Sequence, residues 1–513
     1  MSALQRFLSA SAASWARILL TVATQVLLVP LFLSHWSVEE YGCWLIIQTI
    51  QSFGSLLSAG VHNYAGYEFL KIGDRQPYVS RKLFYSTLPC LLGISTLELA
   101  VLASLIYFDF IRTVFDGSHS LDSGLLRQAD ISLLLYSVCW LLASSAGGLA
   151  GRAVAPYGYF PRMTWWAVFL ALIQALASAV AVALGADLLQ TVIWITLATL
   201  IANIPIHWDM WQILREQGLY PVRPDLRLGA RAVIRSFALS FSNILDLSRQ
   251  QGVRIVLGAL LGMAKMTEFS TTRTMSNLSM QGIGTVTNPI MPELMRFLRE
   301  RDAQRTTAAI GFVWLFAVVL LAPILIGFQW IMPTIYTAWT RGKIAYDPAL
   351  FALFSAGLLL FALARPPLAV LQGNNLLKVQ LGIAMGISSI ALGGIVLVTP
   401  HFGTRGAAAS LLLAELIGTA LAVWYAARWL DRNGLGFPWT LFVVSLLSMG
   451  MADVAITLMV WLPQRRLYVL LPSLAVSILI VYLFVKKSPP TAVARMSRLF
   501  PRLTGYWVAR GRT

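Results

Sequence analysis

Charge is what this sequence has least of. Of its 513 residues only 12% are charged, while 58% are hydrophobic. A soluble domain carries about 25% charged residues. Half that charge cannot cover a water-facing surface on so long a chain, so a soluble enzyme or scaffold is excluded and an integral membrane protein is expected. Cysteine is scarce too. Cys43, Cys90 and Cys139 lie far apart in apolar stretches, without CxxC spacing. They read as small hydrophobes in helix packing, not as a disulfide framework or a thiolate metal site. The five histidines show neither HxxxH nor HExxH spacing, which argues against a metal enzyme. The phosphate loop GxxxxGK[ST] is missing, so nucleotide hydrolysis through that motif is excluded. Long polar segments are missing as well. The longest connections run about 20 residues, too short for a folded extramembrane domain. No cofactor is expected.

What the chain does have is apolar length. A spanning helix needs about 20 mostly apolar residues. Fourteen such stretches can be read: 14–34, 41–62, 84–108, 129–150, 164–184, 188–211, 233–261, 268–290, 308–335, 349–371, 379–399, 404–426, 439–462 and 467–485. The first follows Arg6 and contains Arg17 near its start, but no small-residue cleavage site follows it. It reads as an uncleaved first helix. The expected fold is all-α and polytopic.

Basic residues give the orientation. With the N-terminus in the cytoplasm, 28 of the 39 Lys/Arg fall inside. They include Lys71, Arg75, Arg81 and Lys82, five arginines from Arg215 to Arg235, and Arg296, Arg299, Arg301 and Arg305. Seven more follow Val485 in the tail. Outside, Glu39, Glu40, Asp109, Asp116, Asp122 and Asp130 balance the bases, so nearly all of the +17 net charge is cytoplasmic. Bias toward anionic headgroups explains this charge without a nucleic-acid partner. Both termini are expected in the cytoplasm, in a cell inner (plasma) membrane.

Two places in the chain read alike. Val29-Pro30-Leu31-Phe32-Leu33-Ser34 is followed by Val38-Glu39-Glu40-Tyr41-Gly42, and Leu257-Gly258-Ala259-Leu260-Leu261-Gly262 by Met266-Thr267-Glu268-Phe269-Ser270. The offset is 228 residues. Six spans per half make a parallel repeat, an architecture with its site at the repeat interface. The expected organisation is an N-lobe over 1–220 (helices 1–6), a C-lobe over 221–435 (helices 7–12), helices 13 and 14 over 436–487, and a basic cytoplasmic tail over 488–513.

At this point the chain resembles a known family. Fourteen spans, two six-helix halves, a Pro-bearing first helix leading to Glu39-Glu40-Tyr41-Gly42, and an eighth helix ending Asn288-Pro289-Ile290-Met291-Pro292 before a basic loop look like the Wzx-type polysaccharide flippases of the MATE-like MOP superfamily. The resemblance spans roughly residues 14 to 485 and rests on hydropathy patterns, not on a catalytic signature. It implies movement of an undecaprenyl-pyrophosphate-linked oligosaccharide from the cytoplasmic to the periplasmic leaflet, in service of polysaccharide biosynthesis. Lipid II flippases of the same superfamily carry arginine on the second helix. Gln48 and Gln51 stand there in this chain, which counts against lipid II.

Charges within spans cost several kcal/mol unless they face a cavity or a partner, so each marks a candidate site. On an ideal helix Ser242, Asn243, Asp246, Arg249, Gln250 and Arg254 fall within an arc of about 140°. Ile244, Leu247 and Leu257 lie opposite. Such a stripe lines water most simply. Arg273 stands in the eighth helix. Arginine suits a pyrophosphate because its planar fork bonds phosphate oxygens bidentately and stays charged. Two readings stand: an anion-binding surface formed by Arg249, Arg254 and Arg273 with Asn243 and Gln250, or a structural Asp246–Arg249 pair with the other arginines snorkelling. Helix 1 carries a shorter stripe of Ser14, Arg17, Thr21, Thr24 and Gln25. There Arg17 either meets the pyrophosphate first or merely follows the positive-inside bias.

Glu98, Glu415 and Asp453 are lone acids near mid-span, and Asp246 is a further acid on helix 7. Either they load a coupling cation, H+ or Na+, or they are protonated and hydrogen-bonded to a neighbouring helix. In the tail, Val493, Met496, Phe500 and Leu503 share one face and Arg495, Arg498 and Arg502 the other. An interfacial helix and a disordered basic tail both fit. The expected function is ion-coupled alternating access by a flippase, with a multidrug/cation antiporter of the same superfamily as the alternative. An antiporter for cations needs acids facing the cleft, where this chain has arginines. A membrane glycosyltransferase or ligase needs a paired-carboxylate or His/Asp constellation that the outside loops lack. The expected partners are the lipid-linked oligosaccharide, the bilayer and a polysaccharide polymerase.

Overall fold

The computed structural model describes residues 3–487, apart from 75, 111, 113–122, 288–293, 295–296, 299 and 375. The motif Asn288–Pro292, the outside acids Asp116 and Asp122, and the tail from Ser488 lie outside the described residues. Among those described, the regular elements are all helices, without strands. Ten helices are long and apolar enough to cross a membrane, or eleven with one bent pair counted as a single span.

The difference from fourteen has physical causes. The stretch 379–426 is one 56-residue run, α15, Leu377–Arg432, broken by a kink at Gly403, where φ is +59° and only glycine is unstrained. The helices near 226–287 are too polar to count among them, because arginines, serines and threonines crowd them.

Local signals set the ends. Helix α1, Ala3–His35, gives way to α2, Val38–Gly54, through a capping box. In it Glu40 N–H donates to Ser37 Oγ and Ser37 N–H to a Glu40 carboxylate oxygen. Asp187 with Gln190 repeats the device. After α2 the chain bends by 48° into α3, Leu56–Ile72. Helix α4, Pro77–Tyr107, follows, and then α5, Ser123–Cys139, which runs through a π-turn, Trp140–Ser145, into α6, Ala146–Ala153. Helices α7, Phe160–Ala183, and α8, Leu188–Glu216, follow. Helix α9, Leu226–Leu247, passes through a second π-turn, Ser248–Gly252, into α10, Val253–Leu261. Gly262, at φ +81°, separates α10 from α11, Met263–Thr287.

The helix starts correct one detail of the repeat. Glu40 sits at the third position of α2, whereas Glu268 is the sixth residue of α11 and is buried. The sequence match is therefore about one turn out of structural register, and Glu268 is no cap.

Packing divides the described residues into two compact units. One holds Met1–Thr267 and Trp339–Ile344; the other holds Glu268–Ala338 and the chain from Ala345. In the first unit, α9 packs on α3 and α4. A Cβ on Gly229 would lie 2.0 Å from the Ser86 carbonyl oxygen, and one on Gly60 1.8 Å from Ser240 Oγ. Helix 7 thus belongs to the first unit. The lobe boundary expected near 220 concerns sequence halves, and this division concerns packing.

Prolines inside helices free carbonyls four residues back. Pro30 leaves the Val26 carbonyl without its helical donor, and Trp339 Nε1 donates to it at 2.8 Å, within the first unit. The second unit repeats the arrangement. Pro367 lies in α14, Pro348–Gly373, and frees the Leu363 carbonyl. Trp314 Nε1 donates to that oxygen at 3.0 Å. Trp314 belongs to α12, Ala303–Phe316, which continues through a π-turn, Ala317–Leu321, into α13, Ala322–Trp339.

Candidate functional site

The polar part of helix 7 coincides with its π-turn. Here i→i+5 bonds insert an extra residue, a feature common at functional sites. Arg249 and Gln250 lie inside the turn, the first partly buried and the second exposed. The side chains of Ser242, Asn243 and Asp246 lie outside the described residues. The extra residue also corrects the ideal-helix arc. Everything after the turn is set back by about 100°, one residue's rotation. Arg254 therefore moves from the edge of the computed arc to well inside it.

Arg254 is partly buried on α10, and its polar neighbour is Tyr41 of α2. It has no carboxylate partner among the described residues. Beside it stands a residue the sequence reading passed over, Gln251, whose Oε1 is buried without a hydrogen-bond partner. Gly252 brings the helix against Phe53 of α2, where a Cβ would stand 3.5 Å from the ring. A guanidinium without a counter-anion and an amide with a spare oxygen thus share one turn. Gln251 was not legible because on a regular helix it falls outside the stripe; only the π-turn brings it in.

On helix 1, Arg17 is exposed. Thr21 and Thr24 do not add to a polar surface. Their hydroxyls donate to the backbone carbonyls of Arg17 and Leu20, at 2.8 and 2.7 Å. Gln25 is partly buried, one residue from the Val26 carbonyl that Trp339 occupies. The Ser14 side chain lies outside the described residues.

Glu98 lies in α4 and is 8% exposed. One carboxyl oxygen accepts the Ser58 N–H at 2.9 Å. Ser58 is in the first turn of α3, just past the 48° bend. The carboxyl thus caps a helix start that the bend left without donors' partners, on the side where the helix dipole favours negative charge. Its second oxygen, Oε2, is buried and unpartnered. Around it the hydroxyls of Ser95 and Ser145 share a hydrogen bond of 2.8 Å. His62 Nε2 meets the Ser145 carbonyl at 2.8 Å, and Trp140 Nε1 donates to Ser58 Oγ at 3.3 Å. The bend in helix 2 and the π-turn in helix 4 meet at this cluster. His62 is a member that spacing alone did not mark.

The second unit holds Arg273, Glu415 and Asp453. Arg273 is partly buried on α11, next to Thr272. Both Thr271 and Thr272 hydrogen-bond the fully buried Tyr336 hydroxyl, at 2.7 and 3.4 Å. Glu415 is partly buried in the second arm of Leu377–Arg432. Asp453 is partly buried on α16, Trp439–Trp461, with no hydrogen-bond or ion-pair partner among the described residues. No group of three His, Cys, Asp or Glu suited to a metal is found among the described residues.

No protein-family model matches the chain, and no curated protein matches it in sequence. Solved structures do. The lipid II flippase MurJ in an inward closed conformation superposes with a TM-score of 0.62 at 13% identity, over 93% of this chain and 97% of that one. An inward-facing multidrug resistance MATE family transporter of the MOP superfamily gives 0.63 at 12% identity, over 82% and 95%. A MOP superfamily transporter from Pyrococcus furiosus, described by the reverse polarity of its binding pocket, gives 0.53 at 13% identity, over 84% and 96%. At these identities the likeness concerns the fold. The fold is the one shared by this lipid flippase and these transporters.

Proposed function

We propose that the chain is a flippase that carries an undecaprenyl-pyrophosphate-linked oligosaccharide from the cytoplasmic to the periplasmic leaflet of the inner membrane, with both termini cytoplasmic. The observation that carries this reading is the helix 7 π-turn. It sets Arg249 in the turn and brings Arg254, which has no carboxylate partner among the described residues, one turn further on, in a fold shared with a lipid flippase. Charge in low dielectric attracts phosphate far more strongly than in water. A transporter must also release its cargo, so arginines at staggered depths serve better than one tight site. Arg17, Arg249, Arg254 and Arg273 are proposed as that series, with Gln25, Asn243 and Gln250 as polar company. Glu98, Asp246, Glu415 and Asp453 are the proposed candidates for coupling to H+ or Na+.

The test is polymer export from cells. Arg249→Ala is expected to stop it, and Arg249→Lys to restore part, because lysine keeps the charge and loses the fork. If Arg249 only neutralises Asp246, the double substitution Asp246→Ala with Arg249→Ala recovers both abundance and export, and the substrate role is sunk. A multidrug/cation antiporter is the second reading. It is favoured by the MATE superposition and by the unpaired Asp453. Export of a cationic dye that survives Arg249→Ala and is lost in Asp453→Asn would select it.

A further inference from the structure

The cytoplasmic half of helix 7, α9, presents a face that the positive-inside rule alone does not describe. Its packed side is made of Gly229, Ala232, Ser236 and Ser240, set against α3 and α4. The opposite side is exposed and falls into two lanes. One lane is Arg227, Arg231 and Arg235, four residues apart and all exposed. The other is Leu226, Ile234, Phe237 and Phe241, between 45% and 67% exposed. On a regular helix the arginines occupy an arc of about 80° and the apolar residues a neighbouring arc of about 80°.

The basic lane is not consumed by local acids. Arg227 and Arg231 have no carboxylate partner among the described residues. Arg235 donates to the Tyr64 hydroxyl at 3.4 Å. Of the nearby acids, Glu68 is paired with Lys71 at 2.8 Å. Asp225 accepts the Arg227 and Leu228 N–H groups as the helix cap and lies 4.0 Å from Lys82.

We infer that this face is the docking site of the substrate's diphosphate and polyprenyl tail on the cytoplasmic side, before transport. The inference rests on the flippase reading. An amphiphile with a dianionic head and a long apolar chain matches both lanes at once: phosphate oxygens against the three forks, chain against the Ile234–Phe241 lane. Successive arginines are about 6 Å apart along the axis, so a diphosphate bridges two of them and steps to the third. The row leads along helix 7 toward Arg249, about 21 Å beyond Arg235. A soluble anion would use only the basic lane.

The experiment measures binding of undecaprenyl diphosphate to the full chain in phosphatidylcholine nanodiscs by native mass spectrometry. The triple variant Arg227→Gln, Arg231→Gln, Arg235→Gln is expected to bind about 100-fold more weakly, or roughly fivefold per arginine. The triple Lys variant keeps the topology-setting charge and is expected to fall between. Ile234→Ser with Phe237→Ser weakens undecaprenyl diphosphate and leaves inorganic pyrophosphate binding unchanged. Equal binding by wild type and the triple Gln variant overturns the docking site and leaves the Arg249 reading to its own test. Displacement by an equal mole fraction of phosphatidylglycerol also overturns it, because the face is then a general anionic-lipid surface. Failure of wild type to bind the probe at all removes the substrate reading, and this inference with it.

Discussion

Glu98 shows how one side chain can serve a bend. Its carboxyl takes the Ser58 N–H where helix 2 restarts, and Gln keeps that acceptor while Ala removes it. Glu98→Ala is therefore expected to lower stability by about 1–2 kcal/mol, the usual cost of a lost cap, read by thermal unfolding in detergent. Glu98→Gln separates capping from coupling. It should leave abundance intact, and loss of export in that variant would mark the carboxyl as a cation carrier. Full export would assign it to the cap alone. The acid itself was legible from sequence as an ionisable group in an apolar run. Its partner was not, because only Gly54-Ser55 hints at the bend, and the meeting of helices 2, 3 and 4 is tertiary. The same holds for Thr21 and Thr24. Polar by type, they turn their hydroxyls to their own helix, a choice that composition does not reveal.

At the scale of elements, the helices were readable to within a few residues, since caps and glycines mark them: Ser37 with Glu40, Asp187 with Gln190, Gly262, Gly403. The irregular turns were not. A π-turn leaves no residue signature, so the helix 7 stripe computed at a constant rotation keeps Arg254 but misses Gln251. The proline–tryptophan pairs make a prediction of their own. Trp339→Phe leaves the Val26 carbonyl without a donor and should cost about 1 kcal/mol. Adding Pro30→Ala returns the helical N–H and should recover most of that loss. A double variant no more stable than Trp339→Phe alone would show that the indole acts by packing. Gly229 and Gly60 differ in a testable way. A methyl on Gly229 meets backbone at Ser86, so Gly229→Ala should destabilise by about 1–3 kcal/mol with no simple rescue. Gly60→Ala meets the Ser240 hydroxymethyl, and Ser240→Gly should relieve it.

For the whole molecule, the membrane class followed from composition alone, because so few charges cannot solvate so long a chain. The cargo did not follow, since neighbours at 12–13% identity include both a lipid flippase and a drug transporter. Orientation is open to direct measurement. Reporter fusions at Lys487 and at Asp122 should report cytoplasm and periplasm in turn. A periplasmic signal at Lys487 would remove the even-span arrangement and the parallel repeat with it.

The first compact unit has a consequence for the order of synthesis. Its members are Met1–Thr267 and then Trp339–Ile344, with some 70 residues of the other unit between. At about 5–20 residues per second, the ribosome needs roughly 4–14 s to span that gap. Until it does, the Val26 carbonyl lacks the Trp339 indole and the Trp36 carbonyl lacks Lys343 Nζ, which donates to it at 2.9 Å. The nascent first unit must therefore wait in the membrane with two backbone acceptors open. A chain stopped at Thr337 should remain sensitive to protease at the turn between His35 and Val38 and lose that sensitivity when extended well past Ile344.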